Sequence, residues 1–148
     1  MADYSRGELY IPQNLYDSDL VVRNLINEYD WSERETDEKV ITFVDNEASY
    51  GKFDYLESQL KKLGISFNRK SANCSDVPDQ LRMYRPAEEG KEEIDKEISL
   101  SYDNYEPYIE ISYIKNILRE DINEIDKLKK IQELVNFYGE VEKSLYEY

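Results

Sequence analysis

Apolar and polar residues change their spacing several times along the chain, and each change marks an element. "ELYIP" predicts a short strand or an extended arm, with Pro12 ending it or confining it to a sheet edge. "SDLVVRNLINEYDW" predicts a short helix. There Leu20, Leu25, Ile26 and Tyr29 form an apolar stripe, Ser18 serves as N-cap and Asp19 lies in the first turn. Residues 32–39, "SERETDEK", read as a charged connector. "VITFVDNEA" is a β-branched apolar run and predicts a strand. "SYGKFDYLESQLKKLG" predicts a helix, because Phe53, Leu56, Leu60 and Leu63 recur at helical spacing and Gly64 suits the C′ position. "ISFNRKSA" and "QLRMYRP" predict two strands joined by the polar loop "NCSDVPD".

The second half is more polar. "AEEGKEEIDKEI" reads as a charged connector or a short helix. "SLSYDNYEPYIEI" alternates like a strand, and Pro107 argues for an edge position. From Ser112, a plausible cap, apolar residues repeat every three or four positions: Ile114, Leu118, Ile122, Ile125, Leu128, Ile131, Leu134, Tyr138, Val141 and Leu145. This predicts a long amphipathic helix that Gly139 weakens or ends. The stripe has two readings, docking onto the sheet or self-association.

Together these elements predict one α+β domain over residues 1–148. A small mixed or antiparallel sheet begins β-α-β-β, and a long amphipathic helix follows near the C-terminus. Four segments divide it: an acidic strand-and-helix segment (1–38), the β-α-β-β core (39–86), an acidic tyrosine-rich segment (87–111) and a helical region (112–148).

Charge changes the picture most. The chain of 148 residues carries a net charge of −14. Residues 1–38 contribute −7, residues 39–87 contribute +2, residues 88–110 contribute −7 and residues 111–148 contribute −2. Such a field repels nucleic acid and anionic membrane and attracts basic proteins. Plain solubility is the bland reading, but it does not require the acidity to be sectored. No apolar run approaches the length of a membrane span, and "MADYSRGELYIPQ" has no hydrophobic signal core. The single Cys74 fits a reducing cytoplasm and reads as an incidental thiol.

The candidate chemistry is thin. The absence of histidine removes the usual general base and the commonest metal ligand. No phosphate-binding glycine motif occurs, and "DNEASYGKFDYLE" lacks the ladder of a calcium loop. The expectation is a protein without catalytic residues, metal or cofactor. An enzyme using acids alone is the third reading, since some nucleases hold magnesium this way.

What remains is an acidic–aromatic surface. Glu88, Glu89, Glu92, Glu93, Asp95 and Glu97 lie within ten residues, and a helix would set Glu89, Glu93 and Glu97 one turn apart. Fourteen tyrosines outnumber four Phe and one Trp, and tyrosine is enriched at interface hot spots. In "DNYEPYIEI" an extended backbone places Tyr105 on one face and Glu106, Tyr108 and Glu110 on the other. The candidate partner-binding residues are Glu89, Glu92, Glu93, Asp95, Glu97, Asp103, Tyr105, Glu106, Tyr108 and Glu110. A second patch holds Glu28, Asp30, Glu33, Glu35, Asp37 and Glu38, and reads as a solvated loop. The basic centre (Lys61, Lys62, Arg69, Lys70, Arg82 and Arg85) is expected to pair with the chain's own acids or with a second subunit.

In pattern, "EASYGKFDYLESQLKKLGISFNRKSA" and "LRMYRP" resemble small acidic proteins carried by phages and mobile elements of Gram-positive bacteria. In size, charge and tyrosine content the whole chain is similar to DNA-mimic inhibitors, including anti-CRISPR proteins. Such inhibitors share a strategy rather than a fold, so the resemblance assigns no residue. It implies a non-enzymatic inhibitor acting in the cytoplasm of a bacterial host. The implied target is a basic nucleic-acid-binding protein, foremost a type II CRISPR effector nuclease, whose DNA channel is lined by arginines. The alternative is an adaptor or regulatory protein that binds a basic or amphipathic partner through the C-terminal helix, with a homodimer as one form.

Overall fold

The computed structural model describes residues 3–73, 77–101, 107–139 and 143–148. These form an α+β structure around a six-stranded sheet in which all neighbours are antiparallel. The strands are β1 (Tyr4–Pro12), β2 (Glu33–Asp37), β3 (Val40–Ser49), β4 (Phe67–Ser71), β5 (Gln80–Arg85) and β6 (Ile94–Ser99), in the order β2-β3-β1-β4-β5-β6. The helices are α1 (Gln13–Ser18), α2 (Leu20–Asn27), α3 (Asp54–Lys62), α4 (Ile111–Arg119) and α5 (Glu124–Tyr138).

The expected β-α-β-β order is present in β3-α3-β4-β5, but it is not how the chain starts. It follows β1, two short helices and β2. β1 then lies between β3 and β4, so the unit is split. The "ELYIP" strand is therefore central, not at an edge. Its register sets Leu9 beside Phe43 and Arg69, and Ile11 beside Ile41. Pro12 is tolerated because it is the last residue of β1 and registers only with Val40, beyond the end of the β4 ladder.

One face of the sheet is covered by α1, α2 and α3. Leu9, Ile11, Ile41, Phe43 and Phe67 from the strands pack with Tyr16, Val22, Ile26, Leu56 and Leu60 from the helices. The cap of α2 is Asp19, not Ser18: its Oδ1 accepts from Val21 N at 2.9 Å and Val22 N at 3.3 Å. On the opposite face Met83, Ile98 and Leu100 form a smaller cluster with Leu81 and Tyr138. A 3₁₀ turn, Leu145–Glu147, adds the buried Leu145 to that face. Buried Arg85 fastens this segment, donating Nε to Lys143 O at 2.8 Å and Nη1 to Phe67 O, Tyr84 O and Asn68 Oδ1.

Three polar stretches differ from expectation. The supposed connector 32–39 contains β2 and a two-residue turn into β3, with Glu38 at φ 51°. Residues 88–99 are not helical. They make a hairpin whose tip closes through Lys91 N to Glu88 O (2.9 Å), and then β6. The long C-terminal helix is two helices, broken at residues 120–123. Asn123 ends the break because its Oδ1 accepts from Asp126 N at 2.8 Å and starts α5 afresh. No helix among the described residues is long and apolar enough to cross a membrane.

A close backbone approach positions α3. β1 changes register between Ser5 and Gly7. A Cβ on Gly7 would lie 2.6 Å from Gly51 O and 2.8 Å from the Phe53 ring. Gly51, at φ 66°, turns the chain out of β3, and its carbonyl accepts from Ser71 Oγ at 2.8 Å. Gly7→Ala is thus expected to cost about 1–3 kcal/mol, the usual range for forcing extra volume into a packed site. Urea denaturation of the variant against the parent measures it.

Candidate functional site

The charged residues fall into two groups with opposite character. The first lies on the helix-covered face, where β4, β5 and β6 pass under α3. Arg69 and Arg82 are cross-strand partners, and Arg82 faces Glu97 on the next strand. The alternation that buries Phe67 and Tyr84 also brings Arg69, Arg82, Asp95 and Glu97 to this face. From above, α3 supplies Glu57 and Lys61.

Glu57 is fully buried, and Arg69 is 1% exposed. Glu57 Oε1 accepts from Arg69 Nε at 3.1 Å and from Arg82 Nη1 at 3.2 Å. Its Oε2 accepts from the Phe53 amide at 2.8 Å, which satisfies the start of α3. Arg69 also donates to Ser71 Oγ and to Glu97. Arg82 grips Asp95 with two hydrogen bonds of 3.0 Å, and Lys61 Nζ reaches the same carboxylate at 2.8 Å. Lys52 lies 3.5 Å from Glu97.

The network favours the ionised forms of Asp95 and Glu97. The Arg82 hydrogen bonds keep Asp95 below the ordinary carboxylate range, outweighing partial burial, and Lys61 adds to the effect. For Glu97, burial opposes ionisation, but the hydrogen bond and charge of Arg69, with Lys52, bring the carboxyl below its usual value. Burial and the nearby Glu93 carboxylate push the Tyr84 phenol up to about 12.

Two of the candidate contact residues, Asp95 and Glu97, are exposed and at the same time paired with the chain's own basic centre. Among the other candidates, Glu89 is exposed at the hairpin tip, and Glu92 lines an open cleft there with Arg85, Lys143 and Tyr148. Glu93 is exposed beside Tyr84. Tyr108 is exposed, with its amide 3.4 Å from Ser99 O, and Glu110 is the N-cap residue of α4. Asp103, Tyr105, Glu106 and Cys74 lie outside the described residues. The helical spacing of Glu89, Glu93 and Glu97 does not exist. On β6 and the residues before it, Glu93, Asp95 and Glu97 follow strand alternation instead.

The second group sits at the far edge of the sheet. β2 is paired on one side only, by β3, and all five of its residues are exposed. Arg34 lies toward the core side, its guanidinium 5.1 Å from the Tyr16 ring centre and 5.4 Å from that of Phe43. Glu33, Glu35 and Asp37 alternate with it and share the other face. Strand geometry spaces them by about 6.6 Å. Arg6 approaches Glu33 only at 3.9 Å, and the Tyr146 hydroxyl donates to Asp37 at 3.2 Å. Among the described residues no salt bridge reaches Glu35 or Asp37. Sequence reading treated these acids as a loop because no residue of β2 is buried, so no apolar period marks the strand.

Among the described residues, no group of three or more His, Cys, Asp or Glu side chains is arranged to hold a metal ion. The arrangement can do two things. The internal network fixes register, and the β2 ladder presents regularly spaced carboxylates.

Glu57→Gln is expected to destabilise the fold by about 3–5 kcal/mol, because it leaves two arginines short of a buried counter-charge. Thermal unfolding measures this. Acid sensitivity follows from Asp95 and Glu97. Their folded-state carboxyls titrate below the usual values, so the unfolded chain takes up protons first as pH falls. Their stabilisation is in place above about pH 4 and is lost below it. Asp95→Asn is expected to flatten the fall in melting temperature between about pH 5 and 3. No protein-family model, no curated protein and no solved structure matches this chain.

Proposed function

We propose that the protein is a non-enzymatic inhibitor that occupies the nucleic-acid site of a basic protein through an acidic, DNA-mimicking surface. The observation that carries this reading is the β2 ladder of Glu33, Glu35 and Asp37, exposed on an unpaired sheet edge and scarcely neutralised from within. Its spacing of about 6.6 Å is near twice the axial phosphate spacing of about 3.4 Å along one DNA strand. Glu28, Asp30 and Glu38 neighbour it in sequence, within the segment 1–38 of net charge −7. The contact surface is thus assigned to β2 and its flanks, with Glu89, Glu92 and Glu93 of the hairpin tip as a second region. Asp95 and Glu97 serve the fold.

In this reading the carboxylates neutralise arginines and lysines that otherwise hold phosphates. Tyrosines exposed on the same protein, such as Tyr146 beside Asp37, anchor the contact. Charge complementarity speeds association and makes affinity depend on salt. The proposed target remains a bacterial nucleic-acid-binding enzyme, with a guide-loaded type II CRISPR nuclease the first to test. A row of acids along an open edge also prevents edge-to-edge pairing, and that alone accounts for a solvated strand. The experiment separates the two.

DNA cleavage by such a nuclease is measured with the protein added before or after the DNA. Inhibition is expected only when the protein comes first, and is expected to weaken at least about tenfold between 0.1 and 0.5 M salt. Glu33→Lys, Glu35→Lys and Asp37→Lys together are expected to abolish it while leaving the melting temperature within a few degrees. Inhibition that survives this triple reversal removes β2 from the mechanism. Absence of inhibition across several such nucleases removes the target.

A further inference from the structure

We infer that the α4–α5 hairpin is a self-association surface, through which two copies of this chain pair as a homodimer. Neither helix buries a single residue. Ile114, Ile117, Ile131 and Leu134 are half-buried, and Tyr138 packs against the Met83 cluster of the sheet. A second apolar row remains in water. Ile125 is 69% exposed and Leu128 65%, and Val135, Ile111 and Leu118 are also exposed. The hairpin is nonetheless well tied. Lys130 pairs with Glu120, and Lys127 Nζ donates to Leu118 O at 2.8 Å. Lys96 of β6 caps the end of α5 by donating to Phe137 O and Gly139 O at 2.7 and 2.9 Å. An ordered hairpin with a second, exposed apolar row beside its half-buried one has the pattern of half a four-helix bundle.

Charge identifies the occupant. Residues 111–139 hold five acids and five bases, so the hairpin is neutral while the rest of the chain carries the full −14. Two copies repel over most of their surface, and the neutral apolar hairpin is where they meet at least coulombic cost. A basic partner would be drawn to the acidic regions instead. An anionic lipid surface is disfavoured by the net charge and by the balanced polar face of the hairpin. The outer row of α5 (Ile125, Leu128, Gln132 and Val135) has 3-4-3 spacing. It reads the same in both directions, so two copies can lay this row against itself about a two-fold axis. Antiparallel pairing sets Ile125 against Val135 and Leu128 against Gln132 of the second copy.

Sedimentation velocity tests the inference, independently of any inhibition. At about 100 µM chain, above the micromolar end of standard interfaces, the species is expected at twice the 17.6 kDa chain mass. Unlike salt-sensitive binding by the acidic edge, it is expected to persist at 0.5 M salt. Leu128→Asp and, separately, Val135→Arg are expected to weaken self-association at least about 30-fold, the scale of one hot-spot side chain. Lys129→Glu, on the polar side, is expected to leave it unchanged. A parent chain that stays monomeric at this concentration overturns the inference, as does a dimer that survives both substitutions. A dimer that dissolves in salt overturns it too, since it would be held by charge.

Discussion

The fold depends on a buried guanidinium meeting a buried carboxylate. Arg69 and Glu57 lie between sheet and helix, where an unmatched charge would be intolerable, so each fixes the position of the other. Glu57 also begins α3 through the Phe53 amide, and Arg69 extends the linkage through Ser71 to the Gly51 carbonyl. The turn after β3, the start of α3 and the middle of β4 are thereby one unit. Gly7 lets that unit settle onto β1, because a side chain there would collide with it. Ion pairs of this kind contribute little net stability compared with apolar packing, but they discriminate strongly among registers. Slipping β4 by one residue would put Arg69 on the opposite face, away from Glu57.

The network also divides the chain's acidity. Its three carboxylates sit among four bases, so the sheet beneath α3 is nearly balanced in charge. The excess is left elsewhere, above all on β2 and its flanks. The same lattice of strands that brings Arg82 to Asp95 holds Glu33, Glu35 and Asp37 in a row, which among the described residues only Arg6 approaches, at 3.9 Å from Glu33. The α4–α5 hairpin forms a third zone, neutral and apolar. The molecule therefore separates a balanced interior face, an acidic edge and an uncharged appendage, and each suits a different kind of contact.

Elements with one buried side were legible in the sequence. Val40, Ile41, Phe43 and Val44 announced β3, and Leu56 and Leu60 announced α3, since burial leaves an apolar period. β2 left none: "ERETD" is a strand only because β3 offers it an edge, and its turn uses Glu38 in a left-handed conformation without a glycine. β6 was hidden differently. In "IDKEIS" the alternation is present, but one face carries Asp95 and Glu97, whose partners Arg82 and Arg69 are remote in sequence, so the stretch looked merely solvated. Expecting the basic centre to pair with the chain's own acids was sound for Lys61, Arg69 and Arg82, but nothing in a linear sequence said which acids. The broken C-terminal helix was foreshadowed by Asn123, a strong cap, yet the apolar period runs through Ile122 and masks the interruption.

The central placement of β1 bears on how the chain acquires its structure over time. The β2–β3 and β5–β6 hairpins join neighbours in sequence and can zip locally. β1 cannot: its partners are β3 and β4, and Gly7 must wait for both Asp45 and Ser71. During synthesis β1 thus stays unpaired until β3 and β4 have left the ribosome. Non-local pairing of this sort slows folding and lengthens the exposure of apolar segments such as Leu9 and Ile11. A chain of net charge −14 repels its own copies, and that repulsion opposes aggregation through the same interval.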